Sequence, residues 1–415
     1  MSRGRSSLLL LLLALLVAPP LAQADDGAEP ARTETVRHRS VWESVAALPG
    51  QLLFLPVRVV LGGGKFIAYS VWEMHLLDRA AAALTTSDGR TGLRPLSNTN
   101  LGTGVRVFHR PSPYQLELLS TFGRDPENRR HHMARVDRMT TDGRLSLRAH
   151  LRYEPDENFY GVGMDSPRAG RTRYGWQETA VQVSWQPRPG RHLALDTRVG
   201  WRHVDIGSPR DAEVPETVSF YGNSELAGLG TARNVDVTAS LRSRFVDIPG
   251  SPRNGNLSVV QVGVHPDVAG DGLSYLSLHA VTEQFHELFY GRALSWRTGV
   301  DWRVPIGSDE VPFYNLASVG GNLFVRGYQG GRFRDRGALF SSLRYKFPIW
   351  KLLDGTLFYE AGRTFPGVAK LSLNDWRRSW GGGIRLWVRS GVIFDQWVAF
   401  SDEEWRLLFS FTTDF

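Results

Sequence analysis

The chain has 415 residues, 42% hydrophobic and 22% charged, with a net charge of +7 and no cysteine. The missing cysteine excludes disulfides and thiol chemistry. A basic balance can signal nucleic acid, but the excess here is dispersed arginine, with Lys65, Lys346, Lys351 and Lys370 as the only lysines, so nucleic acid is not an expected partner.

Residues 1–24 begin with Arg3 and Arg5, continue through apolar Leu8 to Val17, and end on Ala22-Gln23-Ala24. A basic region, an apolar stretch and a small-x-small site form a secretory signal peptide, cut after Ala24. Its removal takes away Arg3 and Arg5 and lowers the net charge from +7 to +5. Pro19, Pro20 and the polar run that follows argue against an uncleaved anchor helix. No cysteine follows the apolar stretch, so a lipoprotein anchor is excluded.

Residues 25–88 are expected to form a periplasmic segment. It is polar and flexible to residue 40, then helical over 41–86, where Ile67, Val71, Met74, Leu77 and Ala81 recur at helical spacing. Gly62-Gly63-Gly64 reads as a hinge, since no P-loop Lys-Ser/Thr pair follows it. The run LLFLPVRVVL is too short to span a membrane and would pack under a barrel or enter the interface.

Past the signal peptide no apolar run approaches the ~18–20 residues of a spanning helix. Residues 89–415 alternate instead with period two. In RLSLRAHLRYE, Leu145, Leu147, Ala149, Leu151 and Tyr153 oppose Arg144, Arg148, His150, Arg152 and Glu154. In NVDVTASLRSRFV, Val235, Val237, Ala239, Leu241 and Phe245 oppose Asp236, Thr238, Ser240, Arg242 and Arg244. Segments near ten residues with an arginine-bearing face and aromatics at their ends match a transmembrane β-barrel. An arginine facing lipid at the bilayer midplane costs about 2–4 kcal/mol, so the arginine faces must line the lumen.

Strands are expected near 91–98, 101–110, 114–123, 130–139, 144–155, 175–187, 192–205 and 234–247. Eight more follow near 256–265, 273–285, 293–305, 338–349, 354–365, 379–389, 391–401 and 404–415. That is an all-β, antiparallel barrel of about sixteen strands, with fourteen as the alternative count; the first strand is the least secure, because Pro95 interrupts it. An even count puts both termini in the periplasm.

Between the strands at 293–305 and 338–349 lies GGNLFVRGYQGGRFRDRG, residues 320–337, too long for a simple turn. With Gly320-Gly321, Val325-Arg326-Gly327-Tyr328 and the closing Arg344-Tyr345-Lys346-Phe347-Pro348, it resembles the sixth extracellular loop of the BamA/TamA superfamily, also called the bacterial surface antigen family. Phe358-Tyr359-Glu360-Ala361-Gly362 is similar to that family's Phe-x-Asp-x-Gly strand, with glutamate in place of aspartate. The last strand, with Phe409, Phe411 and terminal Phe415 on one face, resembles the signal by which bacterial outer-membrane barrels are recognised for insertion. The resemblance implies that the loop folds back into the lumen and that Arg326 meets Glu360 on the wall. An exposed arginine-rich tip is the competing reading.

By resemblance the protein translocates or inserts a protein or lipid client in the bacterial outer membrane. About sixty residues before the barrel are too few for the repeated periplasmic domains of barrel assembly factors. A partner protein, residues 25–88 or a homodimer would then capture clients. Lipopolysaccharide, outer-membrane lipid and the barrel assembly machinery are the other expected partners. A passive diffusion channel or an enzyme on a barrel scaffold is the alternative. No Gly-x-Ser-x-Gly or His-Glu-x-x-His occurs, and His131-His132 and His192 stand isolated. No enzyme activity, metal or cofactor is expected.

Overall fold

The structure, a computed structural model, describes residues 84–411 apart from 99–101, 124–128, 189, 191, 211–212, 223–225, 323, 373 and 389–390. The expected signal peptide, most of the expected helical segment and Phe415 lie outside the described residues. The end of that segment is corrected: Leu84 to Thr86 fold back on the first strand instead of finishing a helix, with the Leu93 amide bonded to the Leu84 carbonyl. The Asp88-Gly89 turn and two β-branched threonines favour this over helix.

The first eight strands are β1 (Thr91–Asn98), β2 (Gly102–His109), β3 (Tyr114–Phe122), β4 (Arg130–Met139), β5 (Gly143–Phe159), β6 (Thr172–Pro187), β7 (Leu193–Gly207) and β8 (Thr231–Val246). Next come β9 (Gly255–His265), β10 (Tyr275–Phe289), β11 (Arg292–Pro305) and two short strands, β12 (Ala317–Val319) and β13 (Phe333–Asp335). The chain continues through β14 (Gly337–Trp350), β15 (Leu353–Phe365), β16 (Arg377–Val388), β17 (Gly391–Phe400) and β18 (Trp405–Phe411). All but β12 and β13 form one antiparallel sheet of neighbours in chain order, with β11 beside β14. The sixteen wall strands are those expected from the alternation. The sheet curls into a barrel whose first and last strands meet, among the described residues, at Ser97 with Phe411 and Asn98 with Ser410.

Side-chain parity follows the arginines. Val237 and Leu241 are exposed on the outer face, while Ser240 between them is buried inside. Trp296, Leu343 and Leu407 likewise face outward, giving the apolar surface that lipid requires. Pro95 stays within β1, opposite Val105. The Leu93 amide points away from β2, toward Leu84, so by period two position 95 also turns its amide side away from β2. A missing N–H is tolerated on such an edge.

Long connections, 160–171, 208–230 and 306–336, leave one end of the wall, and short ones such as 140–142, 290–291 and 351–352 leave the other. The long-loop end is extracellular and the short-turn end periplasmic.

Candidate functional site: the lumenal loop

The connection from β11 to β14 does not stay outside. Its β12–β13 hairpin pairs Ala317 with Asp335 and Val319 with Phe333, and the tip between these strands packs against the inner wall. Val325 is fully buried among Met164, Ala317, Val319, Phe333 and Ala338. Its φ is 51°, a left-handed conformation that costs a β-branched residue about 1–3 kcal/mol and persists only where surrounding contacts enforce it.

Those contacts begin at the next residue. The Arg326 amide donates to Glu360 Oε2 at 2.9 Å, and its Nη1 donates to Glu360 Oε1 at 2.8 Å. The guanidinium lies 4.9 Å from the Phe358 ring centre and 4.5 Å from that of Trp397, using arginine's planar face as well as its donors. Glu360 also accepts from Ser342 Oγ at 3.2 Å and sits 3.7 Å from Arg344, which is 3.4 Å from Glu283. The Arg326 and Glu360 side chains are 5% and 1% exposed, so this is a dry ion pair whose oxygens are all satisfied. Burial pulls the Arg326 guanidinium down to about 10, against the opposing pull of Glu360; it remains a cation at neutral pH.

Gly327 allows the closest approach. Its amide donates to Ser379 Oγ at 2.8 Å and its carbonyl accepts from Ser401 Oγ at 2.9 Å. A Cβ here would come within 2.6 Å of the Phe400 carbonyl oxygen, so a side chain would lift the tip off β17. The Tyr328 hydroxyl donates to Asp402, and burial together with that carboxylate raises its phenol well above the ordinary range. Arg406 Nη1 donates to the carbonyls of Arg326 at 3.1 Å and Tyr328 at 2.5 Å. Arg332 holds Glu403 at 2.8 Å and the Ser166 carbonyl at 3.0 Å.

The structure thus brings Val325, Arg326, Gly327, Tyr328 and Glu360 into one cluster. Phe409 lies on the outward face with Trp405 and Leu407, and Phe411 pairs in backbone register with Phe394. Sequence reasoning missed Ser379, Asp402, Glu403 and Arg406 as loop partners. Arg406 was legible as lumenal, but which wall residue meets a folded-back loop depends on register across strands that are distant in sequence. His131 and His150 are also lumenal; His150 pairs with Glu178 at 2.7 Å, whereas His132 sits on the outer face beside Ser120.

On the opposite side, β4, β5 and β6 face the loop across a polar cavity of about 750 Å³, lined by Arg129, His150, Arg152 and Glu178 on the wall and Asn322, Gln329 and Arg334 on the loop.

A sequence profile described as the Omp85 superfamily domain matches residues 124–388. Among solved structures, the chain is similar to BamA from Haemophilus ducreyi lacking POTRA domains 1-3, with a TM-score of 0.57 and 14% identity over 77% of this chain and 69% of that one. It is also similar to CdiB from Acinetobacter baumannii (TM-score 0.48, 11% identity, 78% of this chain and 59% of that one) and to CdiB from Escherichia coli (0.49, 9%, 77% and 62%). Identities this low speak to fold alone. No curated protein sequence matches the chain.

Proposed function

Because the chain belongs to the Omp85 superfamily and is an outer-membrane barrel, we propose that it translocates a protein or lipid client across that membrane or inserts one into it. The observation that carries this reading is the buried Arg326–Glu360 pair, which holds an extracellular loop inside the lumen. A diffusion pore gains nothing from burying two charges to fix a plug, because the desolvation of both ions must be offset by their contact. A barrel that must stay sealed and then rearrange for cargo does gain from it. In this reading the protein has no catalytic chemistry, and the assembly machinery and lipopolysaccharide serve its own insertion and seating. Residues 25–88, a partner or a second copy captures the client.

The test is photo-crosslinking in native membranes from probes at Asn322 and Gln329, which line the cavity, followed by identification of what is bound. A reproducible polypeptide or lipid adduct supports the proposal; probes that capture only the barrel itself count against it. The polar cavity beside β4–β6 favours one second reading, a passive channel. Large steady conductance in planar bilayers would support the channel, whereas small, flickering conductance fits a plugged transporter.

A further inference from the structure

The turn between β8 and β9, residues 247–254, is long for the periplasmic end and folds inward. Asp247 Oδ1 accepts from the amides of Ile248, Arg253 and Asn254 at 2.8, 2.9 and 3.3 Å, which sets the turn as one compact unit. Its tip touches strands far around the wall. The Ser251 hydroxyl donates to Asp354 at the start of β15, and Lys346 of β14 donates to Ser251 Oγ at 2.9 Å and to the Pro252 carbonyl. Gly250 packs so tightly on the β16–β17 hairpin that a Cβ would come within 1.8 Å of the Val388 carbonyl oxygen. Ser251 and Asp354 are 1% and 2% exposed.

The reach of this turn is informative. From the end of β8 to Ser251 is five residues, at most about 17 Å of chain. A round sixteen-stranded wall, with strands about 4.8 Å apart and tilted about 40°, would be about 30 Å across. The β14–β15 hairpin is a quarter of the way around from β8–β9, but the β16–β17 hairpin is six strands away, close to the full span of a round wall, so the Gly250 contact with Val388 requires the β8–β9 and β16–β17 walls to be drawn together at the periplasmic mouth. Above the turn a gap of only about 130 Å³, lined by Glu283, Arg344 and Trp397 among others, separates it from the charges that hold the loop.

We propose that residues 247–254 are a periplasmic clasp: the turn ties β8–β9 to the β14–β17 wall across the mouth of the barrel and must release before the lumen can open. The lumen is then closed twice on the same side, by the loop from outside and by the clasp from the periplasm. Lys346, Ser251 and Asp354 form a polar tie that water can replace, so release exposes no apolar surface at that tie. The purpose assigned to the clasp rests on the transport reading above; the contact itself can be tested without a client.

The chain has no cysteine, so Ser251→Cys with Asp354→Cys gives a single engineered pair. Conductance in potassium chloride across planar bilayers is compared for the parent, this pair free, the pair bridged by a short reducible bis-thiosulfonate, and Gly250→Ala, which displaces the turn without changing charge. The free pair and Gly250→Ala are expected to raise mean conductance about twofold or more, bridging to return it to the parent level or below, and reductant to release it again. Failure of the reagent to bridge the pair in heat-modifiable, folded barrel overturns the clasp, as does parent-like conductance in folded Gly250→Ala. Should the cysteine pair not fold, Gly250→Ala and Ser251→Ala carry the test, and parent-like conductance in both overturns it. Conductance that changes as expected while cavity probes capture no client would leave the clasp standing and remove the transport reading.

Discussion

The two sides of the lumen use the same residue types and hold them in different surroundings. Beside β4–β6, Arg129 and Arg152 share Glu154, each at 2.9 Å, with the arginines 39% and 38% exposed to the cavity. Beside β14–β18, Arg326 and Glu360 make a contact of similar length while almost wholly buried. Distance does not separate the two pairs; water does. In the wet half the guanidiniums reach water with or without their partner, although Glu154 itself is only 6% exposed, and pairs whose two members are both exposed are worth about 0–1 kcal/mol. In the dry half removal of one partner strands the other, at a cost of about 3–5 kcal/mol. The loop therefore has its dry ion pair on one wall; on the other side it meets the β5–β6 connection, where the Gly163 amide donates to the Arg334 carbonyl at 2.7 Å, and the polar cavity.

The sharpest way to break this comparison is Glu360→Ala. It removes the acceptor of Arg326 Nη1 and of the Arg326 amide and leaves Glu283 as the carboxylate beside Arg344, so a loss of about 3–5 kcal/mol is expected in urea unfolding of the folded barrel in vesicles. Arg332→Ala comes next. Its carboxylate partner Glu403 is 17% exposed and can rehydrate, so about 1–3 kcal/mol should be lost by the same measurement. The smallest effect belongs to the wet half: Arg106→Ala breaks a 3.5 Å pair with Glu117 in which both side chains are more than a quarter exposed. A change below about 1 kcal/mol is expected there. A loss at Arg106 as large as that at Glu360 would erase the distinction between the halves.

Much of the wall was legible because lipid enforces period two on every strand. The alternation in NVDVTASLRSRFV assigned Val237 and Leu241 outward and Ser240 inward, as the structure has them. A cysteine at Val237 should accordingly react with lipid-phase maleimides and one at Thr238 with water-soluble ones; reversed labelling would overturn the register. The loop tip and Glu360 were legible only through the resemblance, because no local pattern says that residue 326 meets residue 360. The remaining holdfasts were not legible. Ser379, Asp402 and Arg406 are brought beneath the tip by the stagger of β16, β17 and β18. The clasp escaped notice because DIPGSPRN reads as an ordinary polar turn, and its contacts depend on how far the wall is drawn in.

The loop is held by a dry pair. A double-mutant cycle on Arg326 and Glu360, read as unfolding free energy of the barrel in vesicles, tests it most directly. Arg326→Ala alone should cost less than Glu360→Ala, because Glu360 keeps Ser342 and Arg344, and Arg326→Lys should recover only part of the loss, lacking the planar fork that lies over Phe358 and Trp397. The double alanine chain should lose clearly less than the two single losses combined, with a coupling of about 1–3 kcal/mol. Strict additivity would mean that the two residues do not meet in the membrane and would contradict the account.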